Sequence, residues 1–166
     1  MHENGFMRIG LYSRIARQYL QEARDALKKY NYPADEDGIR KARQMLLEDM
    51  TTDHPGGMRW KLARSSDFYS MSNCRDLLFH VHENLFTLPE ISEMLDTLRL
   101  RFLGFEVKNP QAVQVFRQSY PEDSALQDIG KWAEFETGYP DTFTSMYIFW
   151  CQKQGATGHR FPRSDG

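Results

Sequence analysis

The segment "CRDLLFHVHENLFT" brings two imidazoles and a carboxylate together at His80, His82 and Glu83, with Arg75 and Asp76 shortly before them. Imidazole titrates near neutrality, so such a cluster could serve as acid, base or hydrogen-bond donor to a substrate. It could also ligate a metal, but only in one conformation. On a strand the two histidines share a face; on a helix they point about 200° apart and cannot hold one ion jointly. A zinc site also needs a third and usually a fourth ligand, and neither HExxH nor a cysteine pair at ligand spacing is present. His54 or His159 could contribute only through a fold that brings them close. No metal is expected, and the first expectation for these histidines is the ordinary one, half-buried and hydrogen-bonded side chains. Contact with a substrate in a pocket is the second.

Other chemistry leaves no trace. There is no GxGxxG, no Walker loop, no GxSxG elbow and no cysteine placed with a histidine by a recognisable motif. Cys74 and Cys151 are too few for a disulfide framework, so a reducing, cytoplasmic interior is expected. Lysine and arginine total 21 against 23 aspartate and glutamate, a net charge of -2 that makes nucleic acid or an anionic membrane a poor partner. No apolar stretch approaches the length that crosses a bilayer. At 166 residues, 40% hydrophobic and 13% aromatic, the chain is expected to fold as one domain over residues 1–153, followed by a flexible tail, 154–166.

Which elements would carry these residues? "NGFMRIGLYS" reads as a turn followed by a strand, Phe6 to Tyr12, apolar enough to be covered on both faces. Ser13 can cap a helix bearing Ala16, Tyr19, Leu20, Ala23, Leu27 and Tyr30, ended by Pro33. A second helix is expected from Asp35, with Ile39, Ala42, Leu46 and Met50 on one face and a solvated basic cluster, Arg40, Lys41 and Arg43, on the other. Residues 51–75 lose periodicity and read as an irregular lid with one short helix near Met58 to Ala63.

"FTLPEISEMLDTL" is the strongest local signal. Thr87 and Glu90 make a capping box, Phe86 and Ile91 a hydrophobic staple, and Ile91, Met94, Leu95 and Leu98 an apolar face. It runs into "RLRFLGFEV", a strand carrying Phe102, Leu103, Phe105 and Val107, and a helix feeding a strand suggests an α/β unit. Asn109 caps a helix with Pro110 at its first position. Ser124 and Gln127 form a second capping box ahead of Leu126, Ile129, Trp132 and Ala133. In "PDTFTSMYIFWCQK" helical spacing (Phe143, Met146, Tyr147, Trp150) competes with strand alternation (Met146, Ile148, Trp150), and helix is preferred because Asp141 can cap it.

Together "NGFMRIGLYS", "CRDLLFHVHENLFTLPEISEMLDTLRLRFLGFE" and "PDTFTSMYIFWCQK" resemble the C-terminal part of bacterial class I S-adenosylmethionine-dependent methyltransferases, particularly those fused to tetratricopeptide repeats. The likeness runs from about Asn4 to Lys153. It implies that Phe6 to Tyr12 is the fifth strand of a Rossmann-like sheet, so the expected fold is an α/β fragment, predominantly α-helical with two or three short strands. The glycine-rich loop and ribose-binding acid that hold S-adenosylmethionine in that family lie upstream of the matching region. The resemblance therefore implies that this chain alone binds no cofactor in the family's way. Ligands of open α/β sheets sit outside the carboxyl ends of strands, so Tyr12 and Ser13 would face the substrate side, 51–75 and 75–83 would form a substrate lid, and Arg75, His80, His82 and Glu83 would be substrate contacts.

Three roles follow. The first is the substrate-recognition portion of a methyltransferase, needing an N-terminal half as partner. The second is a non-catalytic helical interaction module that forms a homodimer through its exposed strand and core face. The third is a small independent enzyme built on His80, His82 and Glu83.

Overall fold

The computed structural model describes residues 2–48, 56–79, 83–123 and 126–156. The chain forms two compact units, one of residues 1–16 and 84–166, the other of residues 17–83.

The first unit is a mixed α/β layer. Its strands are β1 (Phe6–Ser13), β2 (Leu85–Phe86), β3 (Leu100–Phe105) and β4 (Met146–Lys153), in the order β2-β1-β4-β3. β4 runs antiparallel to both β1 and β3, and β2 adds parallel to β1 through Tyr12–Leu85 and Ser13–Phe86. β1 was expected to be covered on both faces and is not. Met7, Ile9 and Leu11 pack against the core while Arg8, Gly10 and Tyr12 are exposed. The breaks at Arg8 and Gly10 mark a period of two, the signature of a strand buried on one side.

The largest departure is β4. Residues 146–153 were expected to be helical and form the sheet's longest shared ladder instead, paired with β1 from Phe6–Gln152 to Tyr12–Met146. Tyr147, Phe149 and Cys151 point inward and are fully buried. Two neighbouring strands accept its backbone groups on both edges, and that tertiary context overrides the helical template. Thr144, at φ 57°, turns the chain just before the strand begins.

Three helices complete this unit: α6 (Leu88–Thr97), α7 (Pro110–Ser119) and α8 (Ile129–Gly138). The capping box is present, with the Thr87 amide donating to Glu90 Oε2 at 2.7 Å and the Glu90 amide donating to Thr87 Oγ1. α6 stops before Leu98, which is 58% exposed rather than on the apolar face, because Arg99 adopts φ 51° and turns the chain into β3. Asn109 caps α7 as expected, but Asp128 caps α8; Ser124 lies outside the described residues. The core is aromatic, centred on Phe116 stacked 3.7 Å from Trp132 with Phe105, Phe135, Phe143 and Phe149 around them.

The second unit is helical: α1 (Gln18–Lys28), α2 (Glu36–Leu47), α3 (Met58–Ala63), α4 (Ser66–Tyr69) and α5 (Met71–Phe79). Ser13 does not cap α1. It ends β1, and its Oγ accepts the Ala16 amide at 3.0 Å in the intervening turn. α1 ends at Lys28, before Tyr30, which is 55% exposed and stacks on Tyr32. Asp35 caps α2, accepting the Gly38 amide at 2.8 Å. Met50 lies outside the described residues. On the basic face of α2, Arg40 pairs with Glu36 and Lys41 with Asp37 within the helix, while Arg43, expected to be solvated with them, is half-buried over the Phe68 and Tyr69 rings.

The expected irregular lid is different in kind. Residues 51–55 are outside the described set, but 58–79 is mostly helical, α3 lying where a short helix was expected. Leu62, Phe68 and Cys74 are wholly buried in this unit's core with Leu20, Ile39 and Leu46. Short helices with few apolar positions each carry little periodicity, yet each contributes one or two anchors to a shared core.

Candidate functional site

The carboxyl end of β1 carries a buried polar cluster of Ser13, Glu136 and Tyr147. β1 ends at Ser13, and the antiparallel β4 begins beside it, which puts Tyr147 near Ser13. α8 brings Glu136 to the same place. The Tyr147 hydroxyl lies 2.9 and 2.8 Å from the two carboxylate oxygens of Glu136, and the Ser13 hydroxyl donates to Oε1 at 3.1 Å. Ser13 and Tyr147 are 0% exposed and Glu136 is 1% exposed.

This is a buried carboxyl satisfied by two hydroxyls with no cation among its hydrogen-bond partners. Burial pushes the Glu136 carboxyl above its ordinary range, against the opposing pull of the Tyr147 and Ser13 hydrogen bonds. The negative end of α8, two residues away, acts in the same direction as burial. Burial also pushes the Tyr147 phenol up, so it remains a proton donor. None of the three reaches solvent, so no substrate can reach Ser13 Oγ as a nucleophile; the cluster locks β1, β4 and α8 together. Helical spacing was the available signal for Glu136, a carboxylate on the same turn as Trp132 and Phe135 and therefore on an apolar face.

The solvent-facing rim of this end holds Tyr12, 36% exposed, and Arg14. Arg14 donates to the Leu85 carbonyl at 2.9 Å and to Glu90 at 3.0 Å. The Thr87 backbone amide and hydroxyl, with Arg14, hold the Glu90 carboxyl below its ordinary range. Tyr12, Arg14 and Glu90 thus form an accessible polar edge around the sealed cluster.

Of the residues expected to touch substrate, Tyr12 lies in the first unit and Arg75 and Glu83 in the second. Arg75 is exposed on α5. His80 and His82 lie outside the described residues. Glu83 is not presented to solvent as a ligand contact. It binds Arg17 through two hydrogen bonds, of 2.6 and 3.3 Å, and Arg24 at 3.2 Å, while Arg24 also donates twice to the Leu77 carbonyl near the end of α5. The side chains of Arg17, Arg24 and Glu83 are 8%, 4% and 15% exposed. A carboxylate that neutralises two buried guanidiniums is structural, tying α1 to the chain after α5.

Among the described residues no group of three histidine, cysteine, aspartate or glutamate side chains could hold a metal. Among the described residues the glycines with positive φ are Gly56, Gly104 and Gly155, and none of them stands at the carboxyl end of a parallel strand. No described helix is long and apolar enough to cross a membrane. No protein-family model matches the chain, and none of the curated proteins searched is similar to it.

Proposed function

We propose that this chain is the substrate-recognition portion of a methyltransferase-like protein and does not bind S-adenosylmethionine by itself. The observation that carries the reading is where the helical unit is rooted. The chain leaves the first unit after Ala16 and returns at Asn84, and Leu85 pairs directly with Tyr12. Residues 17–83 are therefore inserted in the chain between β1 and β2, and the first-unit residues that flank the insertion lie at the carboxyl end of β1, the side on which open α/β sheets bind ligands. A mixed sheet in which antiparallel β4 separates the mutually parallel β1 and β3 is also compatible with a doubly wound ancestor. The exposed rim of Tyr12, Arg14 and Glu90 is the surface available to a substrate there.

Calorimetric titration tests this. The chain alone is expected to give no heat with S-adenosylmethionine, and the chain combined with the glycine-loop half of a methyltransferase of that class is expected to bind it. Tight binding by the chain alone, or none by the combination, overturns the reading.

A further inference from the structure

β3 ends the sheet, with β4 on one edge. The register determines what its other edge presents. The Gln154 amide donates to the Arg99 carbonyl at 2.9 Å, and the same register pairs Leu100 with Lys153 and Arg101 with Gln152. Hydrogen-bonded and non-hydrogen-bonded pairs alternate along an antiparallel ladder. Arg101 therefore directs its amide and carbonyl at β4, while those of Leu100 and Phe102 point outward. Further along, the edge closes: the register shifts between Phe102 and Gly104, and the Gln127 side-chain amide donates to the Leu103 carbonyl at 3.1 Å. Among the described residues no strand pairs with the short stretch before that irregularity, and it borders a cleft of about 390 Å³ lined by the apolar Leu95, Leu100, Phe102 and Ile129 together with Arg101 and the carboxylate of Asp96.

The charge on this edge selects the occupant. A second copy pairing edge to edge about a twofold axis would set Arg101 against Arg101, and like charges directly opposite are destabilising. Arg101 is exposed, donates to Gln152 Oε1 at 3.0 Å and forms no ion pair among the described residues. A carboxylate opposite it would be favoured. Alternation then sends the residues on either side of that carboxylate to the opposite face, the one carrying Leu100 and Phe102.

We propose that the Leu100 to Phe102 edge of β3 docks an extended peptide of another protein, apolar–acidic–apolar in sequence, which adds to the sheet as a further strand. Main-chain hydrogen bonds to Leu100 and Phe102 hold it, Arg101 reads the central acid, and the cleft takes the flanking side chains. This inference is independent of any methyltransferase ancestry, because it rests on register and charge alone.

The test is an amide-shift titration of the isotope-labelled full chain with acetyl-Thr-Val-Glu-Val-Thr-amide. Saturable shifts are expected at Leu100 and Phe102. The peptide with lysine at the centre is expected to bind about tenfold more weakly, and N-methylation of the valine amides to abolish binding. Arg101→Glu should invert the preference, and Arg101→Gln should remove it with the rest of the spectrum unchanged. Equal affinity for the two peptides, indifference to N-methylation, or no saturable shift at β3 with millimolar peptide overturns the proposal. So does a dimer in light scattering that protects the Leu100 and Phe102 amides, which would assign the edge to a second copy.

Discussion

Replacing Glu136 with glutamine is expected to remove a pH-dependent cost from the fold. The carboxyl is 1% exposed, and its hydrogen-bond partners are the hydroxyls of Tyr147 and Ser13. Burial raises its pKa above the ordinary 4.5, so the folded state holds the proton more tightly than the unfolded chain. The contribution to stability is complete below the unfolded value and is lost as pH rises through the higher folded one. The loss proceeds at no more than about 1.4 kcal/mol per pH unit, the slope for one proton. Glutamine preserves the shape and an acceptor oxygen but cannot ionise. In acid, where both side chains are neutral, the two proteins are expected to differ by no more than about 1 kcal/mol. As pH rises the wild type should decline relative to the variant. Urea unfolding of both proteins from about pH 4 to about pH 8 reads this, spanning the carboxylate range and neutrality. The difference at each pH cancels shared groups such as Glu90, lowered mainly by the Thr87 amide, and Glu106, lowered mainly by the Arg8 hydrogen bond. Those two act with the opposite sign, their stabilisation being lost as pH falls. Tyr147→Phe, which deletes the main donor, is expected to cost about 1–3 kcal/mol and to steepen the wild-type dependence. A Glu136→Gln difference that stays constant with pH refutes the account of a buried carboxyl held above its ordinary range.

Two further outcomes concern the helical unit. Glu83→Gln leaves Arg17 and Arg24 buried without their carboxylate and is expected to cost about 3–5 kcal/mol, seen as a lower urea midpoint; a near-neutral result would return Glu83 to the list of ligand contacts. Gly38→Ala is expected to destabilise by about 1–3 kcal/mol in thermal unfolding despite the better helix propensity of alanine, since an added Cβ would clash with the Pro33 carbonyl oxygen; a stabilised variant would show that the Pro33 turn yields.

Local chemistry was legible where one residue's side chain acts on its own neighbours. The Thr87–Glu90 box and Asn109 followed by Pro110 could be read directly, because a cap needs only a side-chain oxygen within three residues of an amide that lacks a partner; the start of α2 was legible from its acids, and the cap Asp35 makes there was not singled out. The same local reading failed at Ser13, whose hydroxyl had two possible uses. It serves a turn and a distant carboxylate, not the helix.

The candidate site was less legible. Glu83 attracted attention for its neighbours in sequence, but its partners, Arg17 and Arg24, lie dozens of residues away and turn it from a ligand contact into a structural charge. Glu136 drew none, though a carboxylate on the turn of Trp132 and Phe135 was visible, because its meaning depends on Tyr147 and Ser13 arriving from other strands.

By itself the sequence determined where α2, α3, α6 and α7 begin, that Phe6 to Tyr12 is a strand, and that no disulfide framework was available. Those properties follow from interactions across a few bonds. Only the tertiary structure decided that residues 146–153 are a strand, that 58–79 is core, and that β1 is buried on one face with neighbours on both edges. The pattern around Tyr147 fits both periods about equally well. What separates them is whether β1 and β3 stand ready to take the backbone hydrogen bonds, and that depends on residues far off in the chain, for β1 nearly its whole length away.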